Sequence, residues 1–311
     1  MRTETPPTIR LKDYKPSDYL IDHVALDVAL EPIATGVVSV LKVRPNPASK
    51  TVGTPLRLDG EGLELKSFAI NGETIGDNRY TVSANQLVID DVPPGPFELT
   101  IETKCNPDAN TALSGLYRTN GVYCTQCEAE GFRRITYFLD RPDVLATYQV
   151  RIEADKADVP VLLANGNPIE TGDLADDRHF AVWQDPWPKP AYLFALVAGD
   201  LACVTDHFTT MSGRKVELRI YVEQGKQDRC DWAMESLKAS MGWDERAFGR
   251  EYDLDIFMIV AVSDFNMGAM ENKGLNVFND KYILARPDTA TDQDYVNIEA
   301  IIAHEYFHNW T

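Results

Sequence analysis

The residues best suited to chemistry lie near the end of the chain, in the run His304-Glu305-Tyr306-Phe307-His308. In a helix, residues four apart lie on one face about one turn apart, so the two imidazoles could bind one metal ion. Glu305 is turned by about 100° from His304 and could act on a metal-bound water without being a ligand. A chain with five histidines would contain this pattern by chance roughly 0.005 times. The pattern therefore predicts a zinc site, and the alternative is a pair of core histidines held by hydrogen bonds.

A second group of candidate residues follows a predicted buried strand, at positions 267–274. Gly268, Ala269 and Gly274 are small, so the backbone of a ligand could approach closely here. Glu271 lies among them without an obvious cation nearby in the sequence. Taken by itself, this stretch is equally well explained as a polar loop that leaves a sheet.

The composition limits the classes of protein to which the chain can belong. It has 311 residues, of which 44% are hydrophobic and 25% charged, and its formal net charge is −18. This is enough apolar material for a core, which excludes a disordered chain. The acidic balance argues against a nucleic-acid partner, because phosphates need a basic surface. No stretch approaches the roughly 20 apolar residues that a membrane span needs.

Two features of the sequence predict a cytoplasmic location. The first nineteen residues are polar and contain prolines, without the apolar core of a secretory signal. The five cysteines are an odd number at irregular spacing, which is typical of free thiols in a reducing compartment. Cys124 and Cys127 form a CxxC pair, but neither a second pair nor a strand–CxxC–helix context accompanies it. We therefore expect these two cysteines to have no metal or redox role.

Residues 23–210 show the alternation of apolar and polar side chains that is typical of half-buried strands. Asn71-Gly72 and Asn120-Gly121 separate apolar runs, and this dipeptide is a strong signal for a tight hairpin. Many short strands at regular spacing predict an antiparallel sandwich or saddle. The predicted strands are residues 24–30, 37–43, 115–119, 122–124, 148–154, 159–164, 179–183 and 192–197.

The pattern changes near residue 200, where we predict a boundary between domains of residues 1–200 and 201–311. Residues 216–222 and 255–262 have the composition of strands, and the second is apolar enough to be buried on both faces. An apolar stripe with helical spacing begins at Cys230. A capping-box pattern at Thr291 precedes a last helix that is apolar nearly all round, so we expect that helix to be buried on all sides. Strands alternating with helices predict a mixed α and β layer.

The two candidate stretches together resemble a known family. Residues 268–272 read Gly-Ala-Met-Glu-Asn and precede the His-Glu-x-x-His run, a combination that resembles the aminopeptidase N family of zinc metallopeptidases. Residues 123–136 and 140–143, with Asn266, Met267 and Lys273, are similar to its bacterial members. The resemblance extends over both predicted domains.

The resemblance implies a role for each candidate residue. His304 and His308 would be zinc ligands, and Glu305 would be the general base. Glu271 would bind the free α-amino group of a peptide, with Glu128 reaching in from the β domain as its partner. The other substrate-binding positions that it implies are Gln126, Met267, Gly268, Ala269, Met270 and Asn272. For Met267, core packing is nearly as good an explanation, because methionine fills gaps in most cores.

The resemblance also implies a fold, an activity and a cofactor. The fold would be a mainly β N-terminal saddle or sandwich domain, followed by the truncated start of an α+β thermolysin-like catalytic domain. The activity would be removal of the first residue of a peptide by a cytoplasmic monomer with one Zn²⁺ per full-length chain. In this family a third zinc ligand, a glutamate, and an oxyanion-stabilising tyrosine lie further along the chain than Thr311. We therefore expect residues 1–311 alone to be an inactive fragment.

Two other functions explain the sequence less well. A non-catalytic module whose β domain binds a partner would have no need of Glu271 or of an intact metal motif. An epoxide-opening enzyme would share the zinc chemistry, but the similarity of residues 126–128 to the bacterial peptidases argues against it.

Overall fold

A computed structural model describes Thr8, residues 10–49 and residues 53–311. Before residue 200 the described chain consists mainly of strands joined by turns, with a longer connection at residues 127–145. These strands are β1 (Tyr19–Ala29), β2 (Thr35–Pro45), β3 (Leu56–Asp59), β4 (Glu64–Ile70), β5 (Glu73–Thr74), β6 (Tyr80–Val82), β7 (Gln86–Ile89), β8 (Phe97–Cys105), β9 (Gly115–Thr119), β10 (Val122–Gln126), β11 (Ala146–Asp155), β12 (Val161–Ala164), β13 (Asn167–Asp173), β14 (Arg178–Lys189) and β15 (Leu196–Gly199).

These strands form three sheets around a common core. The largest is eight-stranded in the order β13-β14-β11-β1-β2-β8-β4-β5, beside a four-stranded sheet β12-β15-β10-β9 and a three-stranded sheet β3-β7-β6. Their inward side chains, such as Ile21, Leu58 and Tyr123, belong to one hydrophobic cluster. The mainly β, largely antiparallel architecture predicted from the alternation is confirmed. It also contains one parallel pair, β1 beside β11, which the long connection through nine intervening strands makes possible.

Both hairpins predicted from Asn-Gly dipeptides are present. Asn71 and Gly72 have φ values of 51° and 81°, and Asn120 and Gly121 have 48° and 84°. Such left-handed pairs match the twist of the strands that they join. They connect β4 to β5 and β9 to β10.

The strand predicted at residues 192–197 is wrong in its first half. Residues Ala191–Leu193 form a single 3₁₀ turn, and the strand β15 begins only at Leu196. The backbone N–H of Ala195 donates to the Asn165 side chain at 2.7 Å, so it is not available for a strand ladder. A side chain distant in the sequence therefore sets where β15 begins.

After residue 200 strands and helices alternate, as predicted. The elements are β16 (Leu201–Thr209), β17 (Lys215–Glu223), α1 (Asp231–Phe248), β18 (Ile256–Val262), β19 (Ala269–Met270), β20 (Leu275–Asn279) and α2 (Asp292–Phe307). The strands form a mixed sheet in the order β16-β17-β18-β20-β19, in which β18 is parallel to both of its neighbours. This sheet begins at Leu201, while the division of the chain into domains at residue 200 stays a prediction.

Strand β18 lies between two cores, which explains its uninterrupted apolar sequence. Met258 and Val260 on one face belong to the core shared with the first fifteen strands. Phe257 and Ile259 on the other face pack with α1 and α2. The sheet therefore joins the β layers to the helix that carries the metal motif.

Helix α2 begins as predicted and packs differently from the prediction. Thr291 and Asp294 form a reciprocal capping box, with the Asp294 side chain accepting from the Thr291 backbone N–H at 2.8 Å. Ile298, Ile302 and Tyr306 are buried, but Val296 is 57% exposed. The expectation that this helix is buried on all sides is wrong for the described residues. Its contacts come from α1 and the sheet, which cover one side.

No helix among the described residues combines the length and hydropathy needed to cross a membrane. All five cysteines are unpaired. Cys124 and Cys127 are fully buried in the first core, and burial raises the pKa of the Cys124 thiol to about 11.

Candidate active site

Helix α2 brings the two histidines of the motif together at one point. The Nε2 atoms of His304 and His308 lie 3.1 Å apart, and the two rings meet edge to face. A tetrahedral ion with bonds of about 2.05 Å would hold two nitrogens about 3.3 Å apart, so the observed separation is close to the one that zinc requires. The same distance allows a hydrogen bond between one protonated and one unprotonated nitrogen.

Glu271 reaches the same point from the loop that follows β19. One ligand atom from each of Glu271, Glu305 and His308 lies within 4.8 Å of the other two. The loop turns back on itself where Leu275 N–H donates to Asn272 O at 3.0 Å. Gly274 has a φ of 73°, which a residue with a side chain rarely adopts. This tight turn keeps Glu271 beside the end of α2.

Glu128 approaches from the first fifteen strands, just after β10, and the peptide bond that follows it is cis. Partial burial and then the charge of Glu271 raise the pKa of the Glu128 carboxyl, while His308 acts in the opposite direction. The charge of Glu128 therefore lies within electrostatic range of Glu271 and His308. The candidate site is therefore formed by both parts of the chain.

Glu305 is the most strongly perturbed carboxyl of this group. It is 7% exposed, and its Oε2 atom has no hydrogen-bond partner among the described residues. Burial raises its pKa to about 7, with smaller contributions from the charges of Glu271 and Glu128. Three carboxyl groups close to one another form a site that favours a bound positive charge.

The remaining predicted residues differ in how far they are open to a ligand. Gln126 is 2% exposed and its Nε2 atom donates to the Met267 sulfur at 3.2 Å. Met267 itself is 40% exposed, so it is not a core residue. Gly268 and Ala269 are held against β20 by the Asn279 N–H, which donates to Gly268 O at 2.9 Å.

Two members of the Gly-Ala-Met-Glu-Asn run are fully inside the protein. Met270 is 0% exposed and packs in the first core. Asn272 is 1% exposed, and neither polar atom of its side chain has a hydrogen-bond partner among the described residues. Their side chains are closed to solvent, and the substrate-binding role that the resemblance implies for them stays a prediction.

Sequence reasoning missed several residues that adjoin the site. The charges of Glu271 and Glu128 add to the effect of burial in raising the pKa of Tyr192, so its phenol lies near these carboxylates. Lys273 joins Asp253 to Asn309, the residue after His308. The position of Lys273 next to the motif was a usable signal. Tyr192 and Asp253 are far from both motifs in the sequence, and no local pattern marks them.

Two family models match the chain. One, described as the peptidase family M1 domain, matches residues 232–311. The other, described as the peptidase M1 N-terminal domain, matches residues 54–193. Together they cover the candidate metal motif and most of the β layers.

Curated relatives and a solved structure agree with these matches. Aminopeptidase N of Caulobacter vibrioides is 56% identical over 311 residues, which are 100% of this chain and 36% of that protein. Aminopeptidase N of Escherichia coli strain K12 is 54% identical over 309 residues, covering 99% of this chain and 35% of that protein. The crystal structure of Legionella pneumophila aminopeptidase A in complex with aspartic acid superposes with a TM-score of 0.93 at 40% identity, covering 97% of this chain and 35% of that one. The chain thus spans about a third of the length of the relatives that it matches.

Proposed function

Because this chain belongs to peptidase family M1, we propose that the full-length protein is a zinc-dependent aminopeptidase, which hydrolyses the first peptide bond of a peptide with a free amino terminus. The observation that carries the proposal is the approach of Glu128 and Glu271 to His308 at the end of the metal-motif helix. A metal motif alone would fit many hydrolases, whereas two carboxylates beside it also supply a site for an ammonium group.

His304 and His308 would hold the zinc ion, and in this family a glutamate further along the chain is the third ligand. Zinc, when bound, lowers the pKa of its water toward about 7 and polarises the carbonyl of the bond to be cut. Residues 1–311 contribute two histidine ligands where a catalytic zinc uses three protein ligands. We therefore expect these residues by themselves to be inactive.

Glu305 would act as the general base. It would accept a proton from the attacking water and then deliver that proton to the leaving amine. In the metal-free protein, burial raises the pKa of Glu305 to about 7, so this carboxyl can hold a proton near neutral pH. Its position one residue after His304 places it beside the metal without making it a ligand.

Glu271 and Glu128 would bind the α-amino group of the peptide. Two carboxylates from different parts of the chain would hold the ammonium at a fixed place relative to His308. The scissile bond that reaches the metal would then be the first one, because the amino terminus cannot move further in. The contribution of these residues would be positioning of the substrate.

Substitution of the general base in the full-length protein tests this proposal. Glu305→Gln should lower kcat for release of the amino acid from an aminoacyl chromogenic substrate by about 100-fold or more, with about one zinc per chain retained. Glu299→Gln is the matched control, because Glu299 is an exposed glutamate on the same helix and should leave kcat unchanged. His304→Ala should remove the zinc.

Two results would reject the proposal. The first is a full-length protein without zinc and without peptidase activity, which would favour a binding module. The second is wild-type kcat in the Glu305→Gln variant. The cytoplasmic location and the monomeric state remain predictions, and size-exclusion chromatography of the full-length protein tests the second of these.

A further inference from the structure

Lys273 lies two residues after Glu271 and makes three short contacts. Its Nζ is 2.8 Å and 3.0 Å from the two carboxylate oxygens of Asp253. It also donates to Asn309 Oδ1 at 3.1 Å. The Lys273 side chain is 13% exposed, so its ammonium has exchanged most of its water for these partners.

The backbone of Lys273 is held from the opposite side. The fully satisfied amide of Asn165, which is 1% exposed, donates to Lys273 O at 2.9 Å and to Leu193 O at 3.0 Å. Its Oδ1 accepts from Ala195 N–H at 2.7 Å. A residue fixed at both its carbonyl and its ammonium has little freedom to rotate or shift.

Lys273 and its two side-chain partners, Asp253 and Asn309, belong to three segments that meet at the candidate site. Its own loop carries Glu271, and Asn309 directly follows His308 at the end of α2. Asp253 precedes β18. The Asp253–Lys273–Asn309 contact therefore connects the loop that carries the amino-group anchor to the end of the metal helix.

We propose that Lys273 is a positioning residue for the hydrolysis, which fixes the distance between the amine anchor Glu271 and the metal ligand His308. The inference rests on the proposed function. A peptide bound by its amino terminus reaches the metal correctly only if this distance is right, and an error of about 1 Å can cost about 100-fold in rate. Lys273 touches neither substrate nor metal in this account and acts through Asn309 and its own loop.

Calorimetric titration of the zinc-loaded full-length protein with three ligands separates positioning from general stability. A primary alkylamine reports on the carboxylate anchor alone, and acetohydroxamate reports on the metal alone. An α-amino hydroxamate spans both and depends on the distance between them. The variant is Lys273→Met, which has a side chain of similar length and removes the ammonium group.

In Lys273→Met we expect the Kd values of the two short ligands to change less than about twofold. The spanning ligand should bind about tenfold or more weakly, because its two ends can no longer reach both sites at once. Lys273→Arg should restore most of that affinity, since a guanidinium can contact the same carboxylate and amide. Asn309→Ala, which breaks the link at its other end, should reproduce the selective loss.

The matched control is Lys226→Met. Lys226 is a similarly buried lysine paired with Glu223 at 2.8 Å and Asp280 at 3.1 Å. Its contacts include none of the candidate site residues, so all three Kd values should remain those of the wild type. Melting temperatures of each variant identify any general loss of fold.

Equal weakening of all three ligands by Lys273→Met, or no weakening of the spanning ligand, would overturn the inference while leaving the proposed function in place. A wild-type protein that binds zinc and acetohydroxamate but neither amine ligand would instead reject the proposed amine anchor, and this inference with it. The two failures are therefore distinguishable.

Discussion

Replacing Glu305 by glutamine should make the metal-free protein more stable at neutral pH, although the same change should remove activity. In the fold, burial and the nearby carboxylates raise the pKa of this group from 4.5 to about 7. Folding therefore favours the protonated form. The stability that this group contributes is fully present below pH 4.5 and is lost as the pH rises through about 7. Glutamine has no charge to lose and stays neutral throughout.

The magnitude follows from the difference in pKa between the unfolded and the folded protein. At about 1.4 kcal/mol per pKa unit, the ionised carboxylate costs up to about 3.4 kcal/mol of folding free energy. Glu128 is exposed and Glu271 is half-buried, so solvent screens their part of the shift and about 2 kcal/mol is a better expectation. At pH 5 the glutamine variant should still show about a quarter of its full stability advantage over wild type. The reason is that the Glu305 carboxyl of the unfolded protein already ionises near pH 4.5.

Urea unfolding of wild-type and Glu305→Gln proteins in the presence of a chelator, at pH 5 and pH 8, measures this difference. Glu299→Gln serves as the control and should show no gain at either pH. Added zinc should reduce the stability advantage of Glu305→Gln, because a bound cation compensates the Glu305 carboxylate of the wild type. Two results would contradict the conclusion that burial disfavours the charged form of Glu305. One is a Glu305→Gln protein no more stable than wild type at pH 8, and the other is an equal increase in its stability at pH 5 and pH 8.

Three further substitutions test the interactions that stabilise the fold. Lys189→Met should destabilise the protein by about 3–5 kcal/mol in urea unfolding, because Asp185, which is 0% exposed and 3.0 Å from the ammonium, would remain buried without its partner. Adding Asp185→Leu should recover most of that loss, and failure to do so would argue against a charge effect. Thr291→Ala should lower stability by about 0.5–2 kcal/mol through loss of the α2 cap, and an unchanged urea midpoint would show that the cap is not needed. Gly274→Ala should cost more than Gly213→Ala, because both have positive φ but only the Gly274 Cβ would come within 2.9 Å of another side chain, and equal thermal midpoints would contradict this.

The sequence was sufficient for the elements whose signals are local. The Asn120-Gly121 hairpin and the Thr291 capping box each depend on a few adjacent residues, and both are present. The buried strand β18 was predicted from its continuous apolar composition, and every residue of it is buried. The family, too, was identified from short runs of residues and is confirmed by the family models.

Predictions failed where contacts between distant residues decide the outcome. Strand β15 starts late because Asn165 takes the N–H of Ala195, and no pattern within residues 192–197 contains that contact. The apolar composition of α2 indicated burial on all sides. How much of a helix is covered depends on which elements pack against it, and Val296 lies on the uncovered side.

The candidate site likewise combines features set by neighbouring residues with features set by contacts between distant ones. The sequence by itself determined the spacing of His304, Glu305 and His308, because the geometry of a helix fixes which side chains share a face. The tertiary structure alone decided that Glu128 and Glu271 approach this face, and that Asp253 meets Lys273 behind it. These residues are separated by up to 180 positions from the motif, and only the packing of the sheets against α2 brings them together. The physical reason is that helical periodicity is a property of neighbouring residues, whereas the meeting of loops depends on the whole core.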